Sequence, residues 1–433
     1  MVPGEYFFVR KEQLPILLPH NSRCGLKLQR NRTVTKPSQE ITRGADFGVR
    51  HRKKQHMKIA YVSALVLFAL VVSRPVSAAD WEVVASPSVG TGANSLVGAA
   101  SALDNDVWAV GWAYNSRLSA YRTVIEHWNG TKWSIVKSRN ATNGYNFLNG
   151  VAVVAANDVW AVGQAATGST YNTLVEHWDG TAWSIVPSPN VIGSSSVLTA
   201  LSVVSGNDIW AVGYSTDNNF NNHSLTMHWN GASWSIVSSP TVDDDILFAV
   251  DAVASNDVWA VGRSRPGGGE DRTLTLHWNG SAWSVVPSPN DSTDDNDLFG
   301  VATVASNDVW AVGNAGSLKT LAIHWDGASW SVVPTAALDP NDTNPVLVGI
   351  VALSSDNIWT AGQFIVPLQG SVQQTLTENW NGSSWSVVPS PNAKNSNNRL
   401  HGITATPDGT LWAVGTTGVF TKPERTLILR KNP

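Results

Sequence analysis

Seven times after residue 90 the chain passes through one order of apolar and polar positions. First comes an apolar stretch threaded with small residues, such as "VLTALSVV" at 197 or "LFGVATVA" at 298. A Ser/Ala-x-Asn-Asp turn follows, then "VWAVG", closed by glycine. After a stretch of variable length come "TLVEHW" or "TLTLHW", a short Asn-Gly or Asp-Gly turn, and "WSVV", stopped by "PSPN". β-branched and aromatic residues fill these runs, as a packed, pleated surface prefers. Proline cannot donate to a ladder and ends the fourth run. Each complete copy therefore predicts four short antiparallel strands. No helix-length amphipathic pattern occurs after residue 78.

The period is carried by the tryptophan of the second strand: Trp108, Trp160, Trp210, Trp259, Trp310, Trp359 and Trp412. The spacings are 52, 50, 49, 51, 49 and 53 residues. A second set brackets the last turn at a constant separation of five: Trp128/Trp133, Trp178/Trp183, Trp229/Trp234, Trp278/Trp283, Trp325/Trp330 and Trp380/Trp385. Asn-Gly accepts the positive φ of a tight hairpin. Aromatic pairs across such a hairpin add about 0.5–1.5 kcal/mol beyond their burial. The recurring phrase "HWNGSAWSVVPSPN" is thus a staple for the outer edge of each unit.

The seventh copy has "LHGITAT", "TLWAVG" and "RTLILRK" but no "WSVV" before Pro433, while a spare "WEVVASPS" stands at 81–88. An N-terminal strand that completes the last unit closes a ring and removes open edges. The expected fold is all-β, a seven-bladed β-propeller of four-stranded antiparallel blades closed by the N-terminal strand. A solenoid, the alternative, leaves the stray strand without a partner.

Repeats of about 50 residues with "NDVWAVG" and "HWNGxxWSVVPSPN" resemble bacterial secreted propellers of the kelch and galactose-oxidase-like kind, over residues 81–433. The segment "TPDGTLWAVGTTG" at 406 also resembles the repeats of two-component-regulator sensor propellers. The paired glycines of true kelch blades are absent, so the resemblance extends to architecture. Such families include binding modules and enzymes. The copper chemistry of galactose oxidase, as the resemblance implies it, needs a tyrosine cross-linked to cysteine. The one cysteine, Cys24, lies upstream of the repeats.

The ends change the charge picture. "MKIAYVSALVLFALVVSRPVSAAD" at 57 has a basic start, an apolar core over 59–72 and a small-residue site at Val76-Ser77-Ala78. It reads as a signal peptide over 57–78, cut before Ala79; an uncut signal anchor is the alternative. The apolar core is shorter than the roughly 20 residues a membrane span needs. Residues 1–56 are basic and unpatterned, and read as a start placed too far upstream or as a nucleic-acid arm, the first being favoured for a secreted domain. From residue 79 the chain carries 15 Lys+Arg and 29 Asp+Glu. That acidity argues against polyanion partners such as nucleic acid. A secreted monomer without disulfides is expected.

Residues that recur in every unit build the unit, so function is sought in what varies. His127, His177, His228, His277 and His324 precede the third-strand tryptophan in one blade each, a spread that fits hydrogen bonding better than a metal site. Arg122, Arg272 and Arg425 stand at equivalent third-strand starts in different blades, too dispersed for a sialidase cluster. The stretches after "VWAVG" and after "VPSPN" vary and emerge on one face. A rigid scaffold with variable loops is how binding sites are displayed. Trp112, Tyr114, Tyr171, Tyr214, Phe220 and Phe364, with Tyr145 and Phe147, lie in these stretches and suit the apolar face of a sugar; packing within their own loops is the alternative. "DSTDDND" offers Asp291, Asp294, Asp295 and Asp297 as candidate calcium ligands, although the EF-hand pattern is incomplete and a solvated acidic loop fits as well. No other cofactor is expected. The sequence leads to a non-catalytic module for extracellular carbohydrate or a protein partner; a polysaccharide hydrolase or lyase using acids of 243–245 and 291–297 is the alternative.

Overall fold

A computed structural model describes residues 81–367, 371–419 and 422–433. The expected signal peptide (57–78) and upstream extension (1–56) lie outside the described residues.

Blade 1 is built from Asn94–Leu103, Asp106–Asn115, Ala120–Trp128 and Trp133–Val136, hydrogen-bonded in that order. Blades 2 to 6 repeat this order over 146–185, 195–237, 246–285, 296–332 and 343–387. Blade 7 takes three strands from 397–431 and its fourth from Trp81–Val83. There Trp81 pairs with Lys431 and Val83 with Leu429. The structure is therefore an all-β, seven-bladed propeller whose ring is closed by its N-terminal strand.

The second-strand tryptophan explains how blades adhere. Six of the seven are inserted between the bracketing tryptophans of the next blade, and Trp359 sits between Trp81 and Lys431 of blade 7. Trp210 meets Trp278 and Trp283 at ring separations of 4.8 and 5.2 Å, and Trp412 meets Trp128 and Trp133 at 4.9 and 5.4 Å. Its other face stacks on the histidine of its own blade, as Trp108 does on His127 at 4.2 Å. That imidazole lies 2.7 Å from the carboxylate of Asp106, from the preceding turn. The same Asp–His–Trp column recurs at His177, His228, His277 and His324. Asn379, bonded to Asn357, replaces the histidine in blade 6. In blade 7 Arg430 stands there, over Trp412 and paired with Glu82.

Innermost strands meet through small residues. A Cβ on Gly98, Gly150 or Gly402 would come within 3.1 Å of the next blade's inner strand. This close approach is why "LVG", "LNG" and "LHG" recur in the first strands.

Candidate functional site

Loops joining strands two to three, and those joining blades, leave on one face and are bonded to each other. Tyr114 N donates to Ala93 O, Ala166 N to Tyr145 O and Arg265 N to Asp243 O. The three dispersed arginines pin this layer. Arg122 donates to the carbonyls of Thr142 and Asn143, Arg272 to those of Thr293 and Asp294, and Arg425 to that of Gly90.

The candidate aromatics separate into two groups. Second strands run past the closing glycine, so Trp112, Tyr114, Tyr214 and Phe364 lie on strands and not in loops; Tyr171 lies on a third strand. The expectation of loop residues is corrected there, and only Phe220 occupies a loop tip. Extension has a consequence in blades 1 and 2. Tyr114 pairs across the ladder with Tyr121, a residue not among the candidates read from the sequence. Tyr121 then lies 5.0 Å from Trp112, 5.1 Å from Tyr114, 5.4 Å from Tyr145 and 5.1 Å from Phe147. Phe147 is fully buried and Trp112 only 9% exposed, so they form the floor; Tyr145 is 39% exposed and forms the rim. Tyr171 and Tyr214 stand in blades 2 and 3 outside this cluster, and Phe364 packs on the core between blades 5 and 6.

Phe220 is 86% exposed and has a φ of 66°. Left-handed backbone is rare for a bulky side chain. Asp217 imposes it, accepting from the amides of Asn219 and Asn221 while its carbonyl accepts from Phe220 N.

The acidic stretches are largely engaged. Asp271 is buried and pairs with Arg263 and Arg265. Asp244 accepts from the amide and side chain of Asn222, and Asp245 from the amide of Ser224. Of the candidate calcium ligands, Asp291 faces Lys319 at 3.4 Å and Asp295 accepts from Asp271 N. Asp294 contributes its carbonyl to Arg272. Burial pushes Asp297 up to about 7, against the pull of Arg263. A hydrogen bond donated to Asp295, together with the charge of Asp295, raises the neighbouring Glu270. Among the described residues no three His, Cys, Asp or Glu side chains are grouped to hold a metal ion.

No family model matches the sequence, and no curated protein does. Among solved structures, the chain is similar to YCF48 bound to a D1 peptide, at 14% identity over 82% of this chain and 97% of that one, with a TM-score of 0.49. It is also similar to the fucose-specific lectin from Aleuria aurantia, at 11% identity over 78% and 97% of the two chains and a TM-score of 0.43. A protein of unknown function from Dyadobacter fermentans is 13% identical over 69% and 96%, with a TM-score of 0.45.

Proposed function

We propose that the chain is a secreted, monomeric, kelch-like propeller that binds extracellular carbohydrate without catalysis, through the aromatic surface of blades 1 and 2. The observation that carries this reading is the five-ring cluster around Tyr121, with its buried floor and its tyrosine rim on the loop face. Aromatic faces pack against the C–H face of a sugar, and phenol groups remain for its hydroxyls. The carbonyl and amide groups of the neighbouring loop are already bonded to Arg122 and Asn146, so the surface is held in shape before a ligand arrives. Preorganisation of this kind lowers the ordering cost of binding.

A second reading, a protein partner on the same face, draws on the exposed apolar tips Ile192, Phe220 and Leu318. The hydrolase alternative is disfavoured because Asp271, Asp244, Asp245 and Asp291 already have partners.

Binding of the full-length protein to a range of glycans and cell-wall polymers, with and without calcium, tests the reading. Saturable binding that falls at least tenfold in Tyr145→Ala, with no release of reducing ends, is expected. Reducing ends released from a bound polymer would replace it with an enzyme. Binding to proteins alone would favour the second reading. A secreted product beginning at Ala79 is expected from N-terminal sequencing.

A further inference from the structure

Blade 5 departs from the other blades at one position, and a cavity stands there. Near the start of each third strand, an amide N–H points toward the segment that trails the fourth strand. In blades 1, 2, 4 and 6 an asparagine takes it: Asn140 accepts from Thr123 at 3.2 Å, Asn190 from Thr173 at 2.7 Å, Asn290 from Thr273 at 3.0 Å and Asn392 from Thr375 at 2.8 Å. Ser88 serves Thr426 in blade 7, and Asp245 serves Ser224 in blade 3. In blade 5 the repeat places Ala337, which has no side-chain oxygen to offer.

The rest of this clasp is intact. Thr320 Oγ1 donates to Thr335 Oγ1 at 2.7 Å, as Thr173 and Ser188 meet at 2.8 Å. Thr320 pairs with Asn314 in the register that joins Thr173 to Gln164, so its amide points the same way as its counterparts. A cavity of about 480 Å³ opens over this place, with Thr320, Ala336, Ala337 and Leu338 in its wall. Asp339 and Asp342 also line it, together with Lys319 and Asp291, which face each other.

The chemistry of the gap defines its occupant. An asparagine side chain is an acetamide attached through its methyl carbon. Alanine keeps the methyl carbon and lacks the carboxamide, which leaves the Thr320 amide donor without the carbonyl oxygen that the repeat supplies elsewhere. We propose that blade 5 carries a binding site for an acetamido sugar, whose N-acetyl carbonyl accepts from Thr320 N–H where the other blades supply their own oxygen. The cavity is much larger than a carboxamide, so the sugar ring enters with the acetyl group. Leu338 and Pro340 suit the methyl and the C–H face, and the carboxylates of Asp339 and Asp342 accept hydroxyls. Carboxylates at the rim disfavour an anionic ligand. This site lies in blade 5, away from the Tyr121 cluster, and does not rest on the reading given for it.

The test is a titration of isotope-labelled full-length protein, following the Thr320 amide resonance. N-acetylglucosamine is expected to shift it saturably, and glucosamine or glucose at least tenfold more weakly. Ala337→Asn restores the oxygen of the repeat; it should melt at or above the parent temperature and lose at least tenfold in affinity. Tyr145→Ala should leave this titration unchanged, which separates failure here from failure of the blade 1–2 surface. No Thr320 shift, an equal response to glucose, or undiminished affinity in folded Ala337→Asn would overturn the proposal. A response to N-acetylasparagine amide in place of the sugar would overturn its assignment to carbohydrate. Should Ala337→Asn not fold, the Thr320 shift of the parent decides alone.

Discussion

Three glutamates on third strands make the stability of the scaffold depend on pH. Glu126, Glu176 and Glu378 are fully buried, and each leaves Oε1 without a partner. The other oxygen accepts from the trailing segment of the preceding blade: from Ser86 Oγ for Glu126, Arg139 N for Glu176 and Ala336 N for Glu378. Desolvation outweighs those bonds and raises Glu126 and Glu176 to about 8 and Glu378 to about 7. The folded state therefore holds protons that the unfolded chain, with ordinary carboxyls, releases above pH 4.5. Stability contributed by these protons is complete below that pH and is lost as pH rises through about 7 to 8. His401 acts in the opposite sense, since burial, with Arg399 nearby, depresses it to about 4; its contribution is lost as pH falls from 6.5 to 4. Glu176→Gln keeps the acceptor for Arg139 N but has no proton to lose. It should flatten the fall in melting temperature between pH 5 and 8 relative to the parent, and parallel curves would refute the assignment. Nothing in the sequence marks these residues, because "VEHW" and "TLHW" fit the same strand pattern; burial of that position follows from the neighbouring blade, about 50 residues away.

At the scale of elements, the legible features were those with a local cause. Period-two patterning, Asn-Gly turns and proline stops located the strands, and the five-residue tryptophan spacing located the hairpin pairs. Contacts between blades were not legible in this way. That Trp210 fills the bracket of blade 4 follows from the ring, whereas His228 meets its other face as its cross-strand neighbour within blade 3. The aromatic cluster is legible only in part for the same reason. Trp112, Tyr114, Tyr145 and Phe147 are visible as residues that break the repeat, whereas nothing in the sequence sets Tyr121 apart. Its role follows from the longer hairpin that pairs it with Tyr114. Tyr171, Tyr214 and Phe364 break the repeat equally and lie elsewhere. The seam makes a quantitative prediction. Trp210 is 2% exposed and contacts two tryptophans of the next blade. Trp210→Ala should cost about 3–5 kcal/mol, the range for deleting a large buried aromatic. Chemical denaturation measures this; an unchanged midpoint would mean that the seam is not held by this residue.

For the whole molecule, the ring depends on one non-covalent junction. Six seams join blades that follow one another along the chain, so separation of their faces is limited by a connecting loop. The first and last blades are joined by residues about 340 apart. Val84 N donates to Ile428 O, Ser86 Oγ to Thr426 Oγ1 and Asn94 N to Glu424 O. Within the last seam Trp81 meets Trp359 edge-on at 6.0 Å, and Lys431 lies over the same ring at 5.1 Å, a cation–π contact in place of the second tryptophan. Deleting residues 81–88 removes Trp81 from Trp359, turns the strand Arg425–Lys431 into an open edge, and takes Ser86 from Glu126. An open edge is a template for pairing with another chain. The truncated protein should melt at lower temperature and over a wider range than the parent. Its amide exchange should rise first in blades 6, 7 and 1, with the blades opposite protected longest, because repeat units fail from their least supported neighbours. Uniform exchange at the parent's melting temperature would show that the N-terminal strand is dispensable, and that the blade faces alone close the ring.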